Sequence, residues 1–381
     1  MDQGAMSMEK FLEWVECIEE PRQQIKVRHK LKDIIVIVLF ATLANANDWV
    51  EISLFARLHE DFLKKYITLD NGIPSHDTIQ RVMAMLSPET FQQIQGNWQT
   101  LLNTEINEKL AKIIAIDGKT MRGNTQNGSK ASHIISAWCE ENGFCLGQIA
   151  VEEKSNEITA IPKLLDRIQI KGQIVTIDAM GTQTAIAEKI REKRADYVLA
   201  VKSNQRTLYE DLRDYFNDKE FLDIIEKCGM YRKTIEKAHS QIELREYYQT
   251  EEIAWLPQRT KWKGLKSIGM ERKTITHKDG TKSVEYRYYI CSIEGNVNLF
   301  SRAVREHWSV ESMHWHLDVT FREDANHTID KISAQNLNII RKCSLSILKA
   351  VDFMGTKMSL KKKRFAISQD AGRFLEMILC R

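Results

Sequence analysis

Two apolar runs, Lys112-Ile-Ile-Ala-Ile-Asp117 and Gly172-Gln-Ile-Val-Thr-Ile-Asp178, each end on a carboxylate that is followed at once by a turn. Gly118 marks the first turn and Gly181 the second. Short runs rich in Ile and Val and bounded by turn residues read as buried strands, each delivering its last side chain to a sheet edge. Two carboxylates at strand tips are a place to hold a metal ion. A third acid would sharpen that reading, and Glu311 is the best candidate.

The segments around these runs alternate in an informative order. His133-Ile-Ile-Ser-Ala-Trp138 and Cys145-Leu-Gly-Gln-Ile-Ala-Val151 flank the turn Glu140-Glu-Asn-Gly143, which predicts a β-hairpin. A helix from about Ile158 to Ile168 follows, with Pro162 tolerated near its first turn. After Asp178 come a helix over Thr184 to Lys193, the strand Tyr197-Val-Leu-Ala-Val201, and a third helix beginning near Gln205. Three strands as a meander, then helix, strand, helix, strand, is the order of a ribonuclease-H-like α/β fold with a mixed-sheet core. In that topology the first and fourth strands are neighbours, so Asp117 and Asp178 come within metal-bridging distance.

Composition narrows the class. At 381 residues the chain is long enough for two or three domains, and 43% apolar with 28% charged residues describes a folded soluble protein without a disordered tract. The 7 cysteines are scattered with no C-x-x-C pair, which argues for free thiols in a reducing cytoplasm. The most apolar stretch, Ile34 to Ala44, is far shorter than the roughly 20 residues of a membrane span, so no membrane association is expected and the stretch reads as a buried helix. The net charge of +3 is uninformative; the placement of the charge matters more.

Four regions are predicted. Residues 1–108 read as a helical N-terminal domain, with helical periodicity through Phe11, Trp14, Val15 and Ile18 and again through Trp49, Ile52, Phe55 and Leu58, the latter capped by Asn47-Asp48. Gly72-Ile-Pro-Ser75 leads into a helix capped by Ser75 or Asp77, compatible with a helix-turn-helix DNA reader or with a plain helical bundle. Residues 109–220 and 296–350 form the ribonuclease-H-like catalytic core. Residues 221–295 read as a β-rich insertion, with a type I′ turn at Asp279-Gly280 and a basic cluster of Arg259, Lys261, Lys263, Lys266, Arg272 and Lys273 around Trp262. That cluster suits a nucleic-acid backbone, or is a solvated strand face. Residues 351–381 form a basic C-terminal segment whose Lys361-Lys-Lys-Arg364 run contacts DNA phosphates or serves as a solubilising tail.

A long helix is predicted over Ser301 to about Phe321 and another over Ile332 to Met354. In the first, His307, Glu311, His314, Trp315 and Asp318 fall at steps of three and four and share one face, which would present Glu311 to the metal corner. The bland alternative for Glu311 is a surface ion pair with Arg302 or Arg305. His314-x-His316 is the wrong step for two ligands on one helix face, which argues against zinc.

Three segments, Ile113-Ile-Ala-Ile-Asp-Gly-Lys-Thr-Met-Arg-Gly123, Ile174-Val-Thr-Ile-Asp-Ala-Met-Gly-Thr-Gln183 and Arg305-Glu-His-Trp-Ser-Val-Glu-Ser-Met-His-Trp-His-Leu-Asp-Val-Thr-Phe-Arg-Glu-Asp324, resemble the acidic motifs of bacterial insertion-sequence DDE transposases, H-repeat-associated branch. Arg28-His-Lys-Leu-Lys-Asp33, Trp49-Val-Glu-Ile52 and Gly72-Ile-Pro-Ser-His-Asp-Thr78 resemble that branch's N-terminal region, so the likeness spans nearly the whole chain. The resemblance implies that Asp117, Asp178 and Glu311 are the catalytic carboxylates. Of the family's Tyr-x2-Arg-x3-Glu-x6-Lys signature only the Glu is kept, with Val304, His307 and Asp318 at the other positions. Asp318 is therefore a rival third ligand.

The resemblance further implies an enzyme that binds the terminal repeats of its element and catalyses strand cleavage and strand transfer into target DNA. Two Mg²⁺ ions about 3.5 to 4 Å apart, or Mn²⁺, would serve that chemistry, with Asp117 as the bridging ligand. Lys119, Arg122 and Lys202 are expected at substrate phosphates or as plain surface charges, joined by Lys261, Lys263, Lys361, Lys362, Lys363 and Arg364 as DNA contacts. A homo-oligomer on double-stranded DNA, cytoplasmic and nucleoid-associated, completes the expectation. The alternatives are a metal-dependent ribonuclease-H-like nuclease that cleaves without joining, and a catalytically decayed DNA-binding relic.

Overall fold

The computed structural model describes residues 8–92, 111–125, 131–151, 156–238, 241–352 and 355–379. The expected boundary at residue 108 and the helix end at Met354 lie outside the described residues.

The predicted order of strands and helices is found. β1 (Ile113–Met121), β2 (Ser132–Cys139) and β3 (Phe144–Val151) form an antiparallel meander. β4 (Ile174–Ile177) lies parallel to β1, and β5 (Asp196–Val201) lies parallel to β4. Helix Glu157–Arg167 links β3 to β4, and helix Thr184–Glu192 links β4 to β5. Strands covered on both faces need apolar residues at every position, and Ile113 to Ile116 and all four residues of β4 are buried.

Side-chain alternation then assigns the faces. Ile113, Ile174 and Val198 pack in one cluster with Phe300, Ala303 and Val304 of the helix Val297–His307, while Ile114, Val175 and Leu199 pack on the opposite face with Leu164 and Ile186. The register pairs Ile116 with Ile177, so Asp117 and Asp178 are the next residues on two adjacent parallel strands. Counting in twos from Ile113 and Ile174 puts both on the face covered by the helix Val297–His307.

Three expectations are corrected. β1 does not stop at Asp117: it pairs with β2 from Ile114↔Cys139 through Met121↔Ser132, so Asp117 sits mid-strand and only Asp178 stands at a strand end. The stretch 301–321 is no single helix; it divides into Val297–His307, Ser309–Trp315 and a π-helical turn His316–Thr320, followed by Arg322 in the left-handed region at φ 52°. The Asp279-Gly280 turn is not type I′. Gly280 N–H donates to His277 O and His277 N–H to Thr281 O, with Gly280 at φ 83°, which is a longer loop ending in a left-handed glycine.

The stretch 221–295 opens with the end of a helix, Lys219–Lys227, and then contributes β6 (Tyr231–Ala238), β7 (Gln241–Thr250), β8 (Ser267–Thr276) and β9 (Lys282–Cys291). These strands extend the core's own sheet, because β9 pairs antiparallel with β5 from Val198↔Cys291 to Val201↔Tyr288. The resulting nine-stranded order is β3-β2-β1-β4-β5-β9-β8-β7-β6.

The N-terminal helices pack on the helix Lys331–Ala350. Helix Leu31–Leu43 is apolar all round and buried from Ile34 to Leu43, as a core helix must be. Asp48 and Ser75 cap the helices Trp49–Leu58 and His76–Met85 by accepting from Glu51 N–H and Thr78 N–H. Helix Lys331–Ala350 packs against β3 and against the helices Leu31–Leu43 and His76–Met85, and Asn336 Nδ2 donates to Met83 O and Leu86 O. Among the described residues no helix is long and apolar enough to cross a membrane.

Candidate active site

Asp117, Asp178 and Glu311, from a strand middle, a strand end and a helix, line one cavity of about 580 Å³. Asp178 is oriented by its own turn, its Oδ1 accepting from Met180 N–H at 3.1 Å and Gly181 N–H at 3.4 Å. Glu311 lies in the first turn of the short helix Ser309–Trp315, which follows Val297–His307 with only Trp308 between them.

Burial and mutual repulsion dominate the electrostatics of these acids. Burial pushes the Asp117 carboxyl up to about 7, against a backbone hydrogen bond from Gly118, with Asp178, Glu157 and Glu311 adding repulsion. Burial also raises Glu311, which the Arg287 guanidinium partly offsets. Among the described residues no three His, Cys, Asp or Glu side chains stand close enough to hold a metal ion. Asp117, Asp178 and Glu311 supply hard oxygen donors, the type that suits Mg²⁺ or Mn²⁺, but in this structure they line the cavity without standing together as a ligand set.

Asp318, the rival third acid, is turned elsewhere. Its Oδ1 lies 2.7 Å from Lys119 Nζ, outside the cavity lining, in a cluster where Lys119 also meets Glu323 and Asp324 at 3.3 Å. The π-helical turn places Asp318 out of phase with Glu311. Trp315 is 55% exposed, and His314 faces Asp117 with Nδ1 at 3.5 Å from Oδ2. Burial, helped by Lys342 and Lys119, pushes His314 down to about 3, so it stays neutral. His307, on the cavity wall, is pushed down to about 4 by burial and by Arg287 and Lys202; its Nδ1 lies 3.0 Å from Thr176 Oγ1.

The cations divide into exposed and interior groups. Lys202 is exposed on the cavity wall, and Arg122, Lys261, Lys263, Lys361 and Lys362 are exposed elsewhere. Lys119, 9% exposed and bound to three carboxylates, is an internal clamp and does not offer its charge to DNA. Lys363 and Arg364 are buried: Lys363 Nζ donates to Leu348 O and Val351 O, and Arg364 donates to Thr42 O, Ala46 O, Asn47 and Thr320 O. In the insertion cluster Trp262 is buried, and Lys266, Arg272 and Lys273 are paired with Glu294, Glu246 and Glu243. Sequence reading missed Arg287, whose guanidinium lies 4.1 Å from the ring centroid of Trp308 within this cavity.

Gly118 explains how Asp117 can sit beside a tight crossing. His133 Nε2 and Glu157 Oε1 meet at 2.6 Å over the Gly118 backbone, where an added Cβ would overlap both atoms. Gly118→Ala is therefore expected to push apart the two side-chain ends, which are partly exposed and can swing away, so it should break the pair at a cost below about 1 kcal/mol and leave the urea midpoint nearly unchanged. A clearly lower midpoint would show that the pair cannot give way.

The strand order β3-β2-β1-β4-β5, with two aspartates on the central parallel pair and a glutamate brought by a helix to the same cavity, defines the ribonuclease-H-like class. Residues 108–347 match the family described as "Transposase DDE domain", and residues 12–99 match "DDE_Tnp_1-associated". The chain belongs to the DDE transposase family. It is 39% identical over 365 residues to "Putative transposase YncI" of Escherichia coli O157:H7, covering 94% of this chain and 92% of the relative. It is 37% identical over 350 residues to "H repeat-associated putative transposase YhhI" of Escherichia coli (strain K12), covering 90% and 91%. A solved piggyBac transposase synaptic complex with hairpin DNA gives a TM-score of 0.44 at 11% identity, over 100% of this chain and 84% of that one, too distant for inference.

Proposed function

We propose that this chain binds the ends of its own element, cuts them in a metal-dependent step and joins the freed 3′ hydroxyl to target DNA. The observation that carries this reading is the convergence of Asp117, Asp178 and Glu311, from three separate segments, on one cavity. These three residues would hold Mg²⁺ or Mn²⁺, which would supply an acidified water and stabilisation of the leaving oxygen.

The chain's own residues account for the rest. Phosphodiester hydrolysis forms a bond from water oxygen to phosphorus and releases a 3′ hydroxyl. In joining, that hydroxyl's oxygen attacks a target phosphate and a target 3′ oxygen leaves, so the number of phosphodiester bonds is conserved. Lys202, exposed on the cavity wall, would meet the phosphate that enters. Arg122, Lys261, Lys263, Lys361 and Lys362 would contact the DNA backbone away from the cavity, making affinity strongly salt-dependent. His307 and His314 stay neutral near pH 7, so neither adds a competing positive charge. If two ends are cut together, as the family resemblance implies, the working form on DNA would contain more than one protomer.

The test is to incubate the protein with Mg²⁺ and DNA carrying the sequences that flank its gene. Nicked ends and joined products are expected. Hydrolysis without joined products would favour a nuclease, and binding without breakage in Mg²⁺ and Mn²⁺ would favour a decayed DNA-binding relic.

A further inference from the structure

Arg287 stands on β9 with its side chain in the cavity that holds the three acids. Three contacts fix it. The guanidinium lies over the Trp308 indole, its Nε and Nη2 donate to the two carboxylate oxygens of Glu285 at 2.9 Å, and Nη1 reaches Glu271 at 3.4 Å. Glu285 and Arg287 are two apart on one strand and so share a face, while Glu271 is directly opposite Arg287 on β8.

The two carboxylates differ in what can replace them. Glu271 is buried and is also bound by Arg245 at 3.1 Å, so it is part of the sheet's interior. Glu285 is 54% exposed at its side chain and can swing into water at little cost. The fork that Arg287 presents to Glu285 matches a phosphate equally well, since planar guanidinium pairs bidentately with either anion. Stacking on Trp308 keeps the fork oriented when the carboxylate leaves.

The surroundings favour such a cation. A phosphodiester entering a cavity walled by Asp117, Asp178 and Glu311 meets like charge, and Arg287 and Lys202 are cations on that wall. We propose that Arg287 grips a DNA phosphate beside Glu311, and that Glu285 competes with the phosphate for the same guanidinium. The proposal rests on the reading of the cavity as the place where DNA is cut.

The experiment measures binding of a fluorescein-labelled DNA duplex, drawn from the sequence flanking the gene, to the full chain in Ca²⁺ across a salt series. Arg287→Ala is expected to weaken binding roughly tenfold and to lower the slope of log affinity against log salt by about one, with Arg287→Lys intermediate. Glu285→Gln is expected to tighten binding, and to lose that effect in the Arg287→Ala background. The coupling distinguishes a released guanidinium from the general removal of a negative charge. If Arg287→Ala fails to fold, as judged by circular dichroism, Arg287→Lys with and without Glu285→Gln carries the same comparison. Wild-type affinity in Arg287→Ala, or equal tightening by Glu285→Gln in both backgrounds, would overturn the proposal. Binding is scored without turnover, so a wild-type protein that binds but never cuts would overturn the cavity's proposed chemistry and leave the Arg287 contact standing.

Discussion

Glu311→Gln is expected to reduce DNA cleavage roughly a thousandfold or more while leaving DNA binding and thermal stability near those of the unaltered chain. The carboxylate lines the cavity with Asp117 and Asp178, and its replacement by an amide removes a hard anionic ligand with little change of shape. Asp318→Asn is the paired control. Its carboxylate is held by Lys119 at 2.7 Å outside the cavity lining, so its loss should lower the melting temperature and leave cleavage measurable. Gel assays of nicked and joined products on both variants read the difference. Retained cleavage in Glu311→Gln together with its loss in Asp318→Asn would transfer the third-ligand role to Asp318.

The largest stability effect is expected at Arg364. Its side chain is 0% exposed, and its guanidinium donates to Thr42 O at 2.9 Å, to Ala46 O and Asn47 Oδ1 at 3.2 Å, and to Thr320 O, while lying over the Phe321 ring at 4.3 Å. Thr42 belongs to the last turn of the helix Leu31–Leu43, whose end carbonyls have no partner within the helix. One side chain thus ties the N-terminal helices, the turn after the Glu311 helix and the C-terminal helix Leu360–Gln369. Arg364→Met keeps the apolar stem and leaves several buried carbonyls unpaired, at a cost of about 3 kcal/mol or more. A urea midpoint equal to that of the unaltered chain would show that those carbonyls find other partners.

Local patterns were legible wherever neighbours in sequence decide the structure. The meander, the helix and strand alternation and the caps at Asp48 and Ser75 rest on residues close in sequence, and the β1–β4 neighbourhood, which pairs Ile113 with Ile174, followed from the order of those elements. What the sequence hid depends on distant partners. The run Lys361 to Arg364 reads as uniform positive charge, yet Lys361 and Lys362 face solvent while Arg364 finds carbonyls more than three hundred residues earlier. Helical periodicity carried Glu311, His314 and Asp318 onto one face because nothing in the pattern announces a π-helical turn. Lys119 looked like a loop cation because the strand was read as ending at Asp117; with β1 running to Met121, it points into the Asp318, Glu323 and Asp324 cluster. Arg287 drew no notice because its partners, Trp308 and Glu271, lie on other elements.

The most direct test of the central claim, that Asp117, Asp178 and Glu311 form one metal-holding site, is a Mn²⁺ titration followed by the electron paramagnetic resonance signal of the free ion. The unaltered chain should take up Mn²⁺ and lose that uptake in Asp117→Asn, with Asp178→Asn and Glu311→Gln each weakening it at least about tenfold. Equal Mn²⁺ uptake by the unaltered chain and by folded Asp117→Asn would contradict it.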